Sequence, residues 1–187
     1  PFDFTDNSVV DPPNVVDGWD WDFGDGLGLN SAEQNPTYLY QTPGTYTVTF
    51  TAISDAGCGG STSFDVTVNP SPTADFTTVE VCPNTPTPFT DISTVANATI
   101  INWTWDILND GTDEYTAQNP TNTFAAGGSY PVSLTVESDD GCFGSVINNV
   151  DVAYFPVVDM LSDSACFGTP STTTDLSTVT NSTITGW

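Results

Sequence analysis

Residues 18–26 read GWDWDFGDG, and residues 102–111 read NWTWDILNDG. In each stretch a large apolar side chain falls on every second position: Trp19, Trp21 and Phe23 in the first, Trp103, Trp105 and Ile107 in the second. On an extended strand that spacing puts the three on one face. Aromatics gathered on one face mark the side turned towards a core. Asp20 and Asp22 then point the other way. Gly24, Asp25 and Gly26 follow as a turn, with Asp25 suited to bond its own backbone two residues on. A strand ending in a turn and an acidic binding site compete for this stretch, and the rest of the sequence decides between them.

The two stretches are copies. Trp19, Trp103 and Trp187 recur at intervals of 84 residues, as do Gln34 and Gln118, Pro36 and Pro120, Tyr46 and Tyr130, Cys58 and Cys142, and Cys82 and Cys166. Asp91 and Asp175 keep the interval, whereas Asp6 is displaced by one, so a single-residue length change lies between Asp6 and Trp19. The chain is a tandem array. Its phase predicts three pieces: residues 1–69 as a repeat lacking its first strand, 70–153 as a complete repeat, and 154–187 as the opening part of a third. The third piece is too short to close a core alone, so it requires either a continuing chain or a neighbouring molecule. The absence of an initiating methionine reads as an internal piece of a longer protein.

Within a unit the period is two. Tyr46, Val48, Phe50 and Ala52 alternate with threonines, and Tyr130, Val132, Leu134 and Val136 repeat the pattern. Such alternation describes strands with one buried face. Asp55-Ala56-Gly57 and Asp139-Asp140-Gly141 are turn signals, each followed by a second strand such as Phe64, Val66 and Val68. Ala74 to Thr77 and Phe89 to Ile92 read as short opening strands. No helical period exceeds a turn, and several short strands per unit predict an all-β chain of tandem sandwiches. Asn69-Pro70-Ser71-Pro72 is a short linker stiffened by proline, which predicts a rod of limited bending.

The composition narrows the partners. The chain has 24 Asp and Glu and no Lys, Arg or His, a net charge of −24. Side-chain salt bridges are therefore impossible, and stability rests on burial and hydrogen bonding. The charge repels nucleic acid and anionic membrane surfaces. No stretch is long and apolar enough to insert in a membrane.

Trp21-Asp22-Phe23-Gly24-Asp25-Gly26, then Gln34-Asn35-Pro36-Thr37, then Pro43-Gly44-Thr45-Tyr46-Thr47-Val48 resemble the PKD (polycystic kidney disease) domain. The second copy keeps Gln118-Asn119-Pro120-Thr121 and Gly128-Ser129-Tyr130, and its turn is one residue longer before Asp110-Gly111. The resemblance implies an immunoglobulin-like sandwich of about seven strands and an extracellular or cell-surface location. It also implies a structural part in a large adhesin or fibre, with a spacer or substrate-binding module of a secreted hydrolase as the alternative. The partners it implies are neighbouring repeats, other copies of the same chain, and surface glycans or proteins. Tyr46 and Tyr130, opening a strand after a glycine turn, suit a tyrosine corner.

Sharper chemistries each make their own demand on residue type and spacing. Paired carboxylates serve general acid–base catalysis, but no His, Lys or Arg accompanies them, so no catalytic residue, no cofactor site and no enzyme activity are assigned. Calcium takes many oxygen ligands, and Asp106, Asn109, Asp110, Asp113 and Glu114 crowd one loop; Leu108 and Ala117 break the EF-hand pattern. Calcium near Asp106, Asp110 and Asp113 is the one cation binding the sequence suggests. Sugar stacking needs exposed aromatics; the alternation buries Trp19, Trp21, Trp103 and Trp105 and leaves Tyr38, Tyr40 and Tyr115 freer. The cysteine spacings match no zinc pattern, and an oxidising location favours disulfides. Cys58 and Cys142 fall in the last hairpin turn and Cys82 and Cys166 in the opening loop, at opposite poles of a sandwich. The expected partner of each is thus a cysteine of the neighbouring repeat. Asn97, Asn102 and Asn181 open short glycosylation tripeptides, and Asp163-Ser164-Ala165 resembles a bacterial O-glycosylation tripeptide.

Overall fold

The computed structural model describes residues 1–186, apart from the side chain of Leu29. The third tryptophan of the repeat, Trp187, lies outside the described residues. The chain divides into two compact units, Pro1–Pro70 and Ser71–Trp187, and every described element is a strand.

The first unit contains β1 (Phe2–Asp3), β2 (Val16–Asp22), β3 (Leu29–Ser31), β4 (Thr37–Tyr38), β5 (Gly44–Ser54) and β6 (Gly59–Val68). One antiparallel sheet runs β3-β2-β5-β6, and a small second sheet pairs β1 with β4. Phe4, Trp21, Phe23, Tyr40, Val48, Phe50 and Val66 fill the space between them. Trp21 stacks on Phe50 with ring centroids 4.0 Å apart, as their direct opposition across β2 and β5 requires.

The second unit contains β7 (Phe76–Thr78), β8 (Pro86–Asp91), β9 (Ile100–Asp106), β10 (Thr121–Thr123), β11 (Gly128–Ser138) and β12 (Phe143–Val152). Its sheets run β12-β11-β9 and β10-β8-β7. Phe76 and Phe89 close on Trp105 from the smaller sheet. Val132, Leu134 and Val136, the alternating residues of β11, are wholly buried. Beyond β12, β13 (Met160–Ser162) and β14 (Thr173–Asp175) form a two-stranded hairpin with every residue exposed.

The expected strand turns and tyrosine corners are present. Gly57 donates to Ser54 at 2.7 Å and Gly141 to Ser138 at 2.9 Å, both in the left-handed region that glycine enters without strain. The Tyr46 hydroxyl donates to the carbonyl of Thr42 at 2.7 Å, and that of Tyr130 to Ala126 at 2.8 Å. The rows of alternation hold, although Tyr46, Ala52 and Tyr130 are only half-buried. Trp19 and Trp103 are half-buried rather than buried, because each directs its indole N–H to a carboxylate at the sheet margin. Phe64 is 44% exposed.

That indole bond belongs to a cluster built twice. The indole Nε1 of Trp19 donates to Asp6 and that of Trp103 to Asp91, both at 2.7 Å. Gln34 and Gln118 donate their amides to the same carboxylates. The backbone N–H of Ser8 and of Ser93 bonds the other carboxylate oxygen. Asn35 and Asn119 accept from the backbone N–H of Asp6 and Asp91 at 2.9 and 2.8 Å. Pro36 and Pro120 accept from Phe4 and Phe89. The Gln-Asn-Pro segment is thus a clamp on the opening strand. Burial pushes the Asp91 carboxyl up, but the bonds from Ser93, Gln118 and Trp103 outweigh it and hold the group below its ordinary value; Asp6 behaves alike.

Because a lowered carboxyl favours the fold only while ionised, this contribution is complete above about pH 3.8 and fades as the pH falls below it. Asp91→Ala should remove that acid dependence and destabilise the second unit by about 1–3 kcal/mol, the range for hydrogen bonds to a charged group. Urea unfolding at neutral pH and at pH 3 checks both; an unchanged midpoint in the variant at neutral pH contradicts the assignment.

Candidate functional site

The acidic turns that suggested chemistry sit after β2 and after β9. In the first unit Asp22 accepts from the backbone N–H of Gly24 at 2.9 Å, and Asp25 from that of Leu27 at 3.0 Å. Both are Asx-type turn bonds. A Cβ on Gly24 would come 2.4 Å from the carbonyl oxygen of Thr47, and its φ is +74°, so glycine is obligatory there. Asn30 accepts from the Phe23 N–H at 3.1 Å and closes the loop.

The tyrosines thought free for sugar stacking are engaged. Tyr40 is buried and donates to the carbonyl of Phe23 at 2.9 Å. Tyr38 stacks on Phe23 with centroids 4.0 Å apart and donates to Asp25. That bond to Asp25, with burial second, pushes the Tyr38 hydroxyl up to about 12. Tyr115 bonds Asn122 at 3.1 Å. Alternation alone does not settle the face of these tyrosines, because tyrosine occurs on both faces of strands.

The longer turn of the second unit is more heavily bonded. Asp106 is buried, and its two carboxylate oxygens accept from the backbone N–H groups of Asp110 at 3.0 Å and Gly111 at 2.7 Å. Glu114 accepts from the N–H of Ile107 at 2.7 Å. Asp106, Asp110 and Glu114 each bring one carboxylate oxygen within 4.8 Å of the others. The set is thus Asp106, Asp110 and Glu114; Asp113, named from the sequence, does not share the space, and Glu114 takes its place. These oxygens are the donor type a hard cation accepts. All three carboxylates already hold loop amides, Asp110 through the N–H of Thr112 at 2.9 Å, so what the arrangement does by itself is close the turn.

Val81, beside Cys82, bridges Val152 at one end of the β11–β12 ladder. Cys142 sits in the hairpin at the other end. The intervening ladder from Gly128–Val152 to Glu137–Phe143 spans roughly 30 Å at about 3.3 Å per residue, which excludes a bridge between them within the unit.

A PKD domain family model matches residues 1–68 and again residues 69–152. The chain belongs to the PKD domain family. Among solved structures, the PKD1 domain of Vibrio anguillarum Epp is 23% identical, with a TM-score of 0.41, covering 46% of this chain and 99% of that one. The PKD1 domain of the Vibrio cholerae metalloprotease PrtV is 29% identical, with a TM-score of 0.38, covering 44% of this chain and 96% of that one. The three N-terminal domains of the bacteriophage RB49 outer capsid protein Hoc are 12% identical, with a TM-score of 0.44, covering 93% of this chain and 62% of that one. The two PKD repeats therefore account for the Trp-Asp, Gln-Asn-Pro and Gly-x-Tyr blocks as family scaffold.

Two outcomes follow from the turns. Asp106→Ala should lower the second unit's stability by about 1–2 kcal/mol through the loss of two amide acceptors, read from a thermal melt; a change within about 0.5 kcal/mol, ordinary for a surface substitution, would contradict this role. Tyr38 should be the last tyrosine to ionise in an alkaline absorbance titration, near 12. Since its raised value favours the fold below about pH 10 and is lost above it, Asp25→Ala should bring Tyr38 back towards the ordinary value.

Proposed function

We propose that these PKD repeats are a spacer segment of a large extracellular repeat protein, a stiff acidic array within a surface adhesin or fibre. The observation that supports this reading most is the use made of the chemically promising residues. The tryptophans of the two repeats, the turn aspartates, the Gln-Asn pair and the corner tyrosines are committed to internal bonds, and the indole, Gln-Asn and tyrosine bonds are built alike in both repeats. A protein that uses one frame repeatedly, joined by Asn69-Pro70-Ser71-Pro72, is organised to set distance. The net charge of −24 keeps such an array soluble and resists collapse onto other acidic surfaces. No helix among the described residues is long and apolar enough to cross a membrane. An extracellular location is part of the proposal and accords with carboxylates, threonines and tyrosines in place of basic groups at the surface.

A spacer or accessory module of a secreted hydrolase is the second reading, favoured by the metalloprotease origin of one similar PKD domain. Retention of the chain on insoluble polysaccharides would support it; no retention is expected.

Stiffness is tested by small-angle scattering of the dilute chain at low and high salt. Proline-limited bending predicts the same maximum dimension in both. A loose linker held open only by charge predicts contraction, because about 0.15 M salt screens charges beyond about 8 Å. Replacing Pro70 and Pro72 by glycine should introduce that contraction.

A further inference from the structure

Asn97, Asn102 and Asn181 each open the tripeptide Asn-x-Ser/Thr, the acceptor pattern for an N-linked glycan. The fold treats the first two differently. Asn102 lies within β9, paired with β11, and its carboxamide donates to Glu137 at 2.7 Å. Asn97 lies in the turn before β9, is exposed, and has a φ of 56°. Thr99 is exposed as well. Among the described residues, neither the Asn97 carboxamide nor the Thr99 hydroxyl makes a hydrogen bond.

The left-handed region is more open to asparagine than to most residues, so conformation alone accounts for an asparagine at 97. It does not account for the hydroxyl two residues on. What the fold uses at Thr99 is backbone: its N–H donates to the Asp139 carboxylate at 2.9 Å, and its carbonyl accepts from the Asp139 N–H at 2.9 Å. One repeat earlier, Val15 makes the same two bonds with Asp55, at 3.4 and 3.0 Å, and has no hydroxyl. Pro13 stands there in the place of Asn97. The sandwich therefore closes this turn without the tripeptide. One repeat later, Asn181-Ser182-Thr183 keeps both ends of it, again with a φ of 56° at the asparagine, while Gly186 replaces Asn102.

We propose that Asn97 is an N-glycosylation site of this protein, that Asn181 is its copy, and that Asn102 is not modified. The donor is an oligosaccharide joined through its anomeric carbon to a lipid pyrophosphate. The Nδ2 of Asn97 bonds to the anomeric carbon as the bond from that carbon to the pyrophosphate oxygen breaks. The lipid pyrophosphate leaves with that electron pair, and Nδ2 gives up one proton to a base of the transferase. The Thr99 hydroxyl, bonded to nothing in the fold, is the group the transferase reads. At Asn97 the amide is unbonded and lies in a turn; at Asn102 the amide must leave Glu137 and the strand its ladder. A glycan at Asn97 adds a bulky, solubilising group at the surface without displacing any bond of the sandwich. This inference rests on the extracellular reading, because transfer from a lipid carrier takes place outside the cytosol.

Mass mapping of the protein recovered from the cells that make it tests the site. Chymotrypsin is the protease, since a chain without Lys or Arg offers trypsin no cleavage point. Removal of N-glycans by an amidase in heavy-oxygen water leaves a labelled aspartate at each modified asparagine, and tandem spectra place the label. It is expected at 97 and 181 and not at 102. Thr99→Ala should abolish the label at 97 and Thr99→Ser should retain it. Both variants should keep the wild-type far-ultraviolet circular dichroism, because only the backbone of Thr99 is bonded. An unlabelled Asn97, a label at Asn102, or a label at 97 that survives Thr99→Ala would each overturn the proposal. Protease shaving of intact cells reads the location separately. A protected chain overturns the extracellular reading, whereas a shaved chain with a bare Asn97 overturns the glycan alone.

Discussion

The constraint on which this structure depends is that its carboxylates have no cation to meet. A chain with no Lys, Arg or His can place an aspartate against its core margin only if N–H and O–H donors surround it. Asp6 and Asp91 satisfy that condition with an indole, a side-chain amide and a backbone N–H each. The bonds fix three segments relative to one another: the opening strand, the tryptophan strand and the Gln-Asn-Pro loop. The sandwich is then held at its margin by one carboxylate per repeat, and the aromatic core fills the space this frame leaves.

Much of that was legible in the sequence because the constraint is written in residue types at fixed spacing. The interval of 84 and the alternation of Trp19, Trp21 and Phe23 identified the strand and its inner face. Tyr46 and Tyr130 identified the corners. Even the displaced Asp6 was visible as a repeat position, although its partner was not, since nothing in a linear pattern says which donor reaches which carboxylate. The half-burial of Trp19 and Trp103 was illegible for the same reason. Alternation predicts the face a side chain takes, and only the long-range partner decides that the indole lies at the rim with its N–H turned to Asp6 or Asp91.

The turn after β9 shows a second limit. Asp113 and Glu114 are neighbours in sequence, and on extended backbone neighbours point to opposite sides. The N–H of Glu114 bonds the carbonyl of Trp105, and Tyr115 bridges the same residue, which turns Glu114 towards Ile107 and leaves Asp113 outside. Counting acids within a loop therefore does not tell which of them share a space. The extra residue in this copy also changes what its first aspartate does. Asp22 holds a single amide two residues on, whereas Asp106 is buried and holds two amides four and five residues on. The family frame tolerates this because the turn projects beyond the ladder, so its length can change without shifting the register of β9 on β11.

Donor-only neutralisation also separates two electrostatic scales that most proteins mix. The bonds at Asp6 and Asp91 are contacts of about 3 Å between a charge and neutral dipoles, which salt screens little. The repulsion among 24 acids acts across many ångströms and is screened within about 8–10 Å at ordinary ionic strength. Added salt therefore weakens what opposes the fold and leaves intact what holds it. In a salt-bridged domain the same addition weakens stabilising pairs as well. An array of such repeats gains stability as ionic strength rises, and it does so repeat by repeat, because every carboxylate that matters is satisfied inside its own sandwich.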